Sequence, residues 1–236
     1  MKITAHRGYS GKYPENTMEA FEKAVLSGCD EIELDVQMTK DGTAVIIHDE
    51  TTDRTTDGHG FVRDYTYNEI RRLSAGNGQK IPAFEEYAAL AADAGITTNI
   101  ELKTSIYYYE GIEENVWNMI RKYRLENKVL FSSFNPLSLV KIKTLDKTVP
   151  CGLLTDEDLG NAGACCYMSG IEFYHPNIAK LKADTVKSCR QNGIEINVWT
   201  VNDRKDFEKA YAFGCRSVIT NFPEKCIKWR AEIMNL

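Results

Sequence analysis

His6-Arg7, Glu33-Leu34-Asp35, His48 and Glu101-Leu102-Lys103 bring together residue types that bind cations, hold phosphate and move protons. The stretch Glu31 to Asp49 holds the densest part of this set. Two β-prone runs flank Asp41-Gly42, a dipeptide that favours a two-residue hairpin loop. With that loop Lys40 pairs with Thr43, and stepping back along both strands sets Asp35 opposite His48 on one face. Glu33 shares the face, because side chains two apart on a strand point the same way. Two carboxylates so close repel unless a cation lies between them. An oxygen-only donor set suits a hard divalent ion, Mg²⁺ or Ca²⁺. The alternative is an ordinary hairpin whose polar face meets water.

Glu101 and Lys103 add a third carboxylate and an ammonium at the end of another strand. Glu33, Asp35 and Glu101 are the expected metal ligands. Arg7 offers a planar fork for phosphate and Lys103 a point charge. Histidine is the side chain whose ordinary charge change falls near neutral pH, so His6 and His48 suit a general acid and a general base. Metal, cations and an acid/base pair together describe phosphoester cleavage. Each residue alone has a plainer reading. His6 could cap its strand, Arg7 could pair with a surface carboxylate, and Glu101 and Lys103 could neutralise each other. Trp199 is either core or a wall of the substrate site, and Asn16 is read as a helix cap. Convergence at one place favours the chemical reading for the carboxylates and both histidines. His59 has no evident partner, and His175 is read as structural.

Convergence requires a scaffold. Helix, glycine and strand recur at Gly28, Gly95, Gly193 and Gly214, each placed to end a helix in the left-handed conformation. Strands are expected at Lys2–Ala5, Glu31–Val36, Thr98–Leu102, Val129–Ser132, Val149–Leu154, Ile171–Tyr174, Glu195–Trp199 and Ser217–Thr220. Helical patterns such as Phe84–Ala94, Ile112–Tyr123, Leu137–Leu145 and Asp184–Gln191 separate them. Alternation of this kind predicts an α/β fold, a TIM (β/α)8 barrel with its site at the C-terminal ends of the strands. Residues 1–236 read as one barrel domain. Residues 49–80 are polar and turn-rich, with a short helix near Tyr67–Leu73. They are expected to form a small inserted cap beside the barrel mouth.

A net charge of −5, with 43% hydrophobic and 27% charged residues, fits an ordinary globular protein and argues against a nucleic-acid partner. The seven cysteines show no disulfide or zinc spacing, so reduced thiols in the cytoplasm are expected. No secretory leader and no membrane-spanning run is evident, so no stable membrane insertion is expected.

The chain resembles the glycerophosphodiester phosphodiesterases. The resemblance rests on His6-Arg7-Gly8 with Pro14-Glu15-Asn16-Thr17, Glu33-Leu34-Asp35-Val36 with Thr39-Lys40-Asp41-Gly42, and His48-Asp49 with Asp53-Arg54-Thr55-Thr56. It continues through Glu101-Leu102-Lys103, Trp199-Thr200-Val201-Asn202 and Thr220-Asn221-Phe222-Pro223. These motifs stand in family order over nearly the whole chain. The resemblance implies a TIM barrel with a small subdomain inserted after the second strand. It also implies metal-dependent hydrolysis of small glycerophosphodiesters to sn-glycerol 3-phosphate and an alcohol. By motif match, His6 and His48 are the acid/base pair, and Glu33, Asp35 and Glu101 bind one divalent cation. Arg7, Lys103 and Trp199 then contact substrate. Asn221 departs from the aspartate many members carry there, and His175 from a more usual asparagine. The Asn221 change is expected to matter little, because the position is not among the catalytic matches. The His175 change is expected to alter contacts to the glycerol or the leaving group. Competing readings are a lysophospholipase D-like activity at the same site and a non-catalytic barrel that binds phosphate ligands.

Overall fold

The computed structural model describes residues 1–234. Its strands are β1 (Lys2–His6), β2 (Glu31–Met38), β3 (Ala44–Ile46), β4 (Thr97–Leu102), β5 (Val129–Ser133), β6 (Cys151–Thr155), β7 (Phe173–Pro176), β8 (Glu195–Val198) and β9 (Ser217–Thr220). Its α-helices are α1 (Met18–Ser27), α2 (Tyr67–Ile70), α3 (Phe84–Ala94), α4 (Ile112–Lys122), α5 (Pro136–Leu145), α6 (Ala162–Met168), α7 (Ala183–Gln191), α8 (Arg204–Ala212) and α9 (Pro223–Met234). Among the described residues the nine strands form one sheet in which only β3 pairs antiparallel. The other eight close into a ring, because β1 pairs in parallel with both β2 and β9. This is the expected TIM barrel. Parallel neighbours need crossover connections, and the helices supply them.

The two faces of the barrel strands differ in character. Ile32, Leu34, Val36, Ile100 and Leu102 alternate outward and join Phe21, Ala24, Tyr87, Ala88 and Trp117 of the helices in one core. The intervening residues Glu31, Glu33, Asp35, Asn99 and Glu101 are buried and polar. On β2 and β4 the barrel interior is thus polar where branched apolar layers are usual. Buried charge must be paired. At the N-terminal end of the barrel Glu31 receives hydrogen bonds from Arg216 Nη2 at 2.6 Å and Lys2 Nζ at 2.8 Å. The carboxylates nearer the C-terminal end have other partners, described below.

Several expected boundaries shift for local reasons. β6 begins at Cys151 rather than Val149, beyond Pro150, which has no N–H for a ladder. β7 begins at Phe173 rather than Ile171, whose N–H instead closes the end of α6 on Cys166 O at 2.9 Å. Asn16 does not cap α1. Thr17 does, its hydroxyl accepting from Ala20 N. A cap must sit directly before the first helical residue, which is Met18. Asn16 lies in the left-handed region at φ 57°, which its short polar side chain tolerates.

Residues 49–80 leave the barrel after β3. They contain an isolated bridge between Thr51 and Phe61, a 3₁₀ turn at Val62–Asp64, and α2. Val62, Ile70, Ala75 and Ile81 pack on Val45 and Ile47 in a cluster separate from the main core. Among the described residues no helix is long and apolar enough to cross a membrane.

Candidate active site

Strand register explains why the acidic residues meet. Glu33 is level with His6 on one side and with Asn99 on the other, while Asp35 is level with Glu101. All five point inward, and Glu33, Asp35 and Glu101 present oxygens within 4.8 Å of one another. All three side chains are buried.

Their electrostatics differ. Burial pushes the Asp35 carboxyl up, but the charges of Arg7, Lys103 and His48 and the Asn16 hydrogen bond overcome it and hold it at about 2. Arg7 Nε lies 3.3 Å from Asp35 Oδ2, and Asn16 Nδ2 donates to the same oxygen at 2.8 Å. Burial together with the charges of Asp35 and Glu101 pushes Glu33 well above the usual carboxylate range. Glu101 also rises through burial, partly offset by Lys103, whose ammonium donates to Glu101 Oε1 at 2.9 Å. Asp35 Oδ1 is buried without a hydrogen-bond partner. An oxygen-only donor set, an orphaned carboxylate oxygen and strong mutual repulsion all fit a hard divalent cation.

The two histidines flank this cluster and are anchored differently. His6 Nδ1 lies 2.6 Å from Asn221 Oδ1. The amide oxygen can only accept, so Nδ1 carries the proton and Nε2 keeps its lone pair. Nε2 lies 4.0 Å from Glu33 Oε2. Burial, then the Arg7 charge, pulls His6 down to about 4. His48 Nδ1 instead faces a carboxylate, Asp49 Oδ1, at 2.6 Å, and its Nε2 lies 3.2 Å from Lys103 Nζ.

His48 arrives by a route the hairpin argument did not foresee. The loop has three residues, Lys40 to Gly42, closed by Thr39 N donating to Thr43 O at 3.0 Å. Gly42 takes φ 81°, the left-handed position of this loop class. Val36 therefore pairs with Ile46, and Asp35 lies opposite Ile47 rather than His48. A slip of one residue turns a side chain to the other face of a continuing ladder. The ladder does not continue. β3 ends at Ile46, and Gln37 Nε2 gathers the carbonyls of Ile47, His48 and Asp49 at 3.0, 3.0 and 2.7 Å. Tyr109 OH in turn donates to Gln37 Oε1 at 2.8 Å. This bend carries His48 back over the mouth.

A pocket enclosing about 420 Å³ of open space is lined by His6, Arg7, Glu33, His48 and Glu101 on one side. Phe134, Leu154 and Trp199 form an apolar wall across from them. Trp199 is fixed by its indole N–H on His175 O at 2.8 Å and by edge-to-face contact with Phe134 at 5.9 Å between ring centres. Arg7 lines the pocket, but its fork already holds Glu15 at 2.8 Å as well as Asp35. His175 does not line the pocket. It is fully buried, hydrogen-bonded to Asn197 at 2.8 Å, and lies over bare Gly152, where a Cβ would fall 2.3 Å from its Nε2. His59 sits 3.3 Å from Asp53 on the exposed insertion, away from the pocket.

Sequence reasoning missed Asn16, Gln37, Asp49 and Asn221 as site residues. Asp49 was signalled by its position next to His48, and Asn221 by its departure from the family pattern. Nothing local marks Gln37, whose role depends on where the chain bends.

The glycerophosphoryl diester phosphodiesterase family pattern matches residues 6–225. A glycerophosphodiester phosphodiesterase of Caldanaerobacter subterraneus subsp. tengcongensis is 40% identical over 232 residues, covering 95% of this chain and 96% of that protein. A solved phosphodiesterase of Oleispira antarctica, in complex with the product sn-glycerol-3-phosphate, is similar with a TM-score of 0.87 at 27% identity, covering 98% of this chain and 97% of that one. A solved glycerophosphodiester phosphodiesterase of Thermotoga maritima gives a TM-score of 0.79 at 30% identity, covering 97% of each chain.

Proposed function

The chain belongs to the glycerophosphoryl diester phosphodiesterase family and is an enzyme of that class; from this premise we propose that it hydrolyses small glycerophosphodiesters to sn-glycerol 3-phosphate and an alcohol, with His6 as general base and His48 as general acid. The observation that carries the reading is the buried Glu33–Asp35–Glu101 cluster between two histidines, each anchored through Nδ1. The product bound by the Oleispira protein supports the choice of glycerol phosphate as the retained half.

Glu33, Asp35 and Glu101 would hold one divalent cation, Mg²⁺ or Ca²⁺. Such an ion supplies neutralising charge at the phosphoryl oxygens. Arg7 and Lys103 add positive charge beside it, Arg7 as a fixed charge because its fork is held by Glu15 and Asp35. Neutral His6 takes the proton of the nucleophile at Nε2, as its Asn221 partner favours. The nucleophile is water, or the glycerol 2-hydroxyl if a cyclic phosphate forms first. Once the Lys103 ammonium, now 3.2 Å from His48 Nε2, turns to the diester, His48 can carry a proton on both nitrogens, and as the P–O bond to the alcohol breaks its Nε2 proton passes to the departing oxygen. Asp49 stabilises the cationic imidazolium needed for that step. Trp199 and Phe134 pack against the apolar edge of the substrate. Residues 1–236 act as one barrel unit, with residues 49–80 as its cap.

A lysophospholipase D-like activity is the second reading. Exposed Phe61, Ile106 and Tyr108 on the insertion and on the loop after β4 favour it, since they offer apolar surface to an acyl chain. One assay tests both. Glycerol 3-phosphate release from glycerophosphocholine, lost on chelation and restored by Mg²⁺ or Ca²⁺, is the expected result. Activity that survives exhaustive chelation overturns metal dependence, and turnover of lysophosphatidylcholine alone selects the second reading.

A further inference from the structure

Arg54 lies on the insertion, and its guanidinium makes four hydrogen bonds to two carboxylates. Nε and Nη2 donate to Asp49 Oδ2 and Oδ1 at 2.5 and 3.0 Å. Nη1 and Nη2 donate to Glu15 Oε2 and Oε1 at 3.0 and 2.7 Å. Each carboxylate also touches a side chain of the pocket. Asp49 Oδ1 receives His48 Nδ1 at 2.6 Å, and Glu15 Oε1 receives Arg7 Nη1 at 2.8 Å. Arg7 in turn lies beside Asp35. A chain of charge-assisted contacts thus runs from His48 through Asp49, Arg54 and Glu15 to Arg7.

We propose that Arg54 is a positioning residue for the reaction: a single guanidinium from the insertion holds Asp49 and Glu15 together and thereby fixes His48 and Arg7. The inference rests on the acid/base reading above. Two features separate it from an ordinary surface ion pair. Arg54 is about half exposed (side chain 48%), and exposed pairs contribute little to stability, so the arrangement adds little to the fold. Both edges of the planar fork are used, which a lysine cannot reproduce. Removing Arg54 leaves Asp49 and Glu15 facing each other without the shared cation. Their repulsion then turns Asp49 from His48 Nδ1, and the ring loses both its orientation and the anion that supports its charged form. The insertion is thereby part of the catalytic assembly through Arg54, although Arg54 does not line the pocket.

The test uses Arg54→Ala, Arg54→Lys, Asp49→Asn and the Arg54→Ala/Asp49→Asn double variant, with glycerophosphocholine as substrate. Arg54→Ala should lower kcat about 10- to 100-fold, the scale for outer partners of a site, with KM changed by less than about 3-fold. Arg54→Lys should recover only part of the loss, and added guanidinium ion should restore activity to Arg54→Ala. The double variant should be no slower than the slower single one, because both changes break the same path. In the metal-free wild type, the His48 Nδ1 proton should give a downfield imidazole resonance that Arg54→Ala loses. Wild-type kcat in Arg54→Ala, additive losses in the double variant, or an unchanged His48 resonance would each overturn the proposal. An inactive wild type with the resonance behaviour intact would overturn the functional reading and support the positioning role.

Discussion

Replacing Asn221 with Asp puts a carboxylate where a neutral amide oxygen now stands 2.6 Å from His6 Nδ1. The shape of the side chain hardly changes, and the charge does. In the wild type His6 is held down at about 4, first by burial and then by Arg7, and Asn221 opposes this only as a hydrogen-bond acceptor. Opposite charges about 4 Å apart attract by roughly 4 kcal/mol at an effective dielectric of 20. That corresponds to about 3 pH units. Ser10 Oγ lies 3.1 Å from the same oxygen and 2.7 Å from His6 O, and its single proton can turn to the new anion and stabilise it before His6 gains a proton. Sharing of this kind, with the cost of burying the new carboxylate, brings the expected rise to roughly 1–3 units. The sign follows directly. A raised His6 pKa protonates the base at higher pH, so its lone pair is lost earlier as pH falls. The acid limb of kcat/KM should therefore move up by about 1–3 units in Asn221→Asp, while rates near pH 8 stay within about 5-fold. The assay is a pH profile of glycerol 3-phosphate release at saturating cation. An acid limb that stays within about 0.3 unit of wild type would refute both the role of His6 as base and its coupling to position 221.

His6→Ala and His48→Ala should each lower kcat on glycerophosphocholine by roughly 10²-fold or more, and a nitrophenyl ester should rescue only His48→Ala. Equal rescue of both, or of neither, in a leaving-group comparison would disprove the assignment of acid and base. Metal-free protein carries Glu33 raised by burial and by Asp35 and Glu101, so at pH above the unfolded carboxyl value this group destabilises the fold. Mg²⁺ or Ca²⁺ at about 100 times its Kd should add about 2.7 kcal/mol and raise Tm by roughly 5–10 °C. Glu33→Gln should raise the metal-free Tm and abolish most of that shift in a thermal melt, and an undiminished shift would remove Glu33 from the cation site. Gly152→Ala drives a methyl to 2.3 Å from His175 Nε2. It should destabilise by about 1–3 kcal/mol in denaturant unfolding, and His175→Ala should relieve much of that cost when combined with it.

The alternation of helices and strands was legible because it is local. Glycine stops such as Gly28, φ 77°, and apolar outward positions such as Ile32 and Leu34 follow from backbone sterics and period-two burial. The cluster of Glu33, Asp35 and Glu101 was legible for the same reason. Inward-facing residues on adjacent parallel strands must meet when the strands pair in register. His48 was placed at the mouth by an incorrect register. The turn has one more residue than Asp-Gly suggests, and a change of one residue costs little locally yet reverses the face. The approach of His48 depends on Gln37 taking three carbonyls, and Gln37 is itself held by Tyr109, 72 residues away. Asn221 reaches His6 across 215 residues because β9 closes the ring against β1. Arg54 joins Glu15 across 39 residues because the insertion folds back over the mouth. Sequence determined which residues each strand offers to the barrel interior, since that is set by neighbours along the chain. Tertiary structure decided which nitrogen of His6 faces the pocket, since Asn221 comes within hydrogen-bond reach only when the barrel closes, and it decided how Asp49, the chain neighbour of His48, is held, since Arg54 and Glu15 meet only when the insertion folds back.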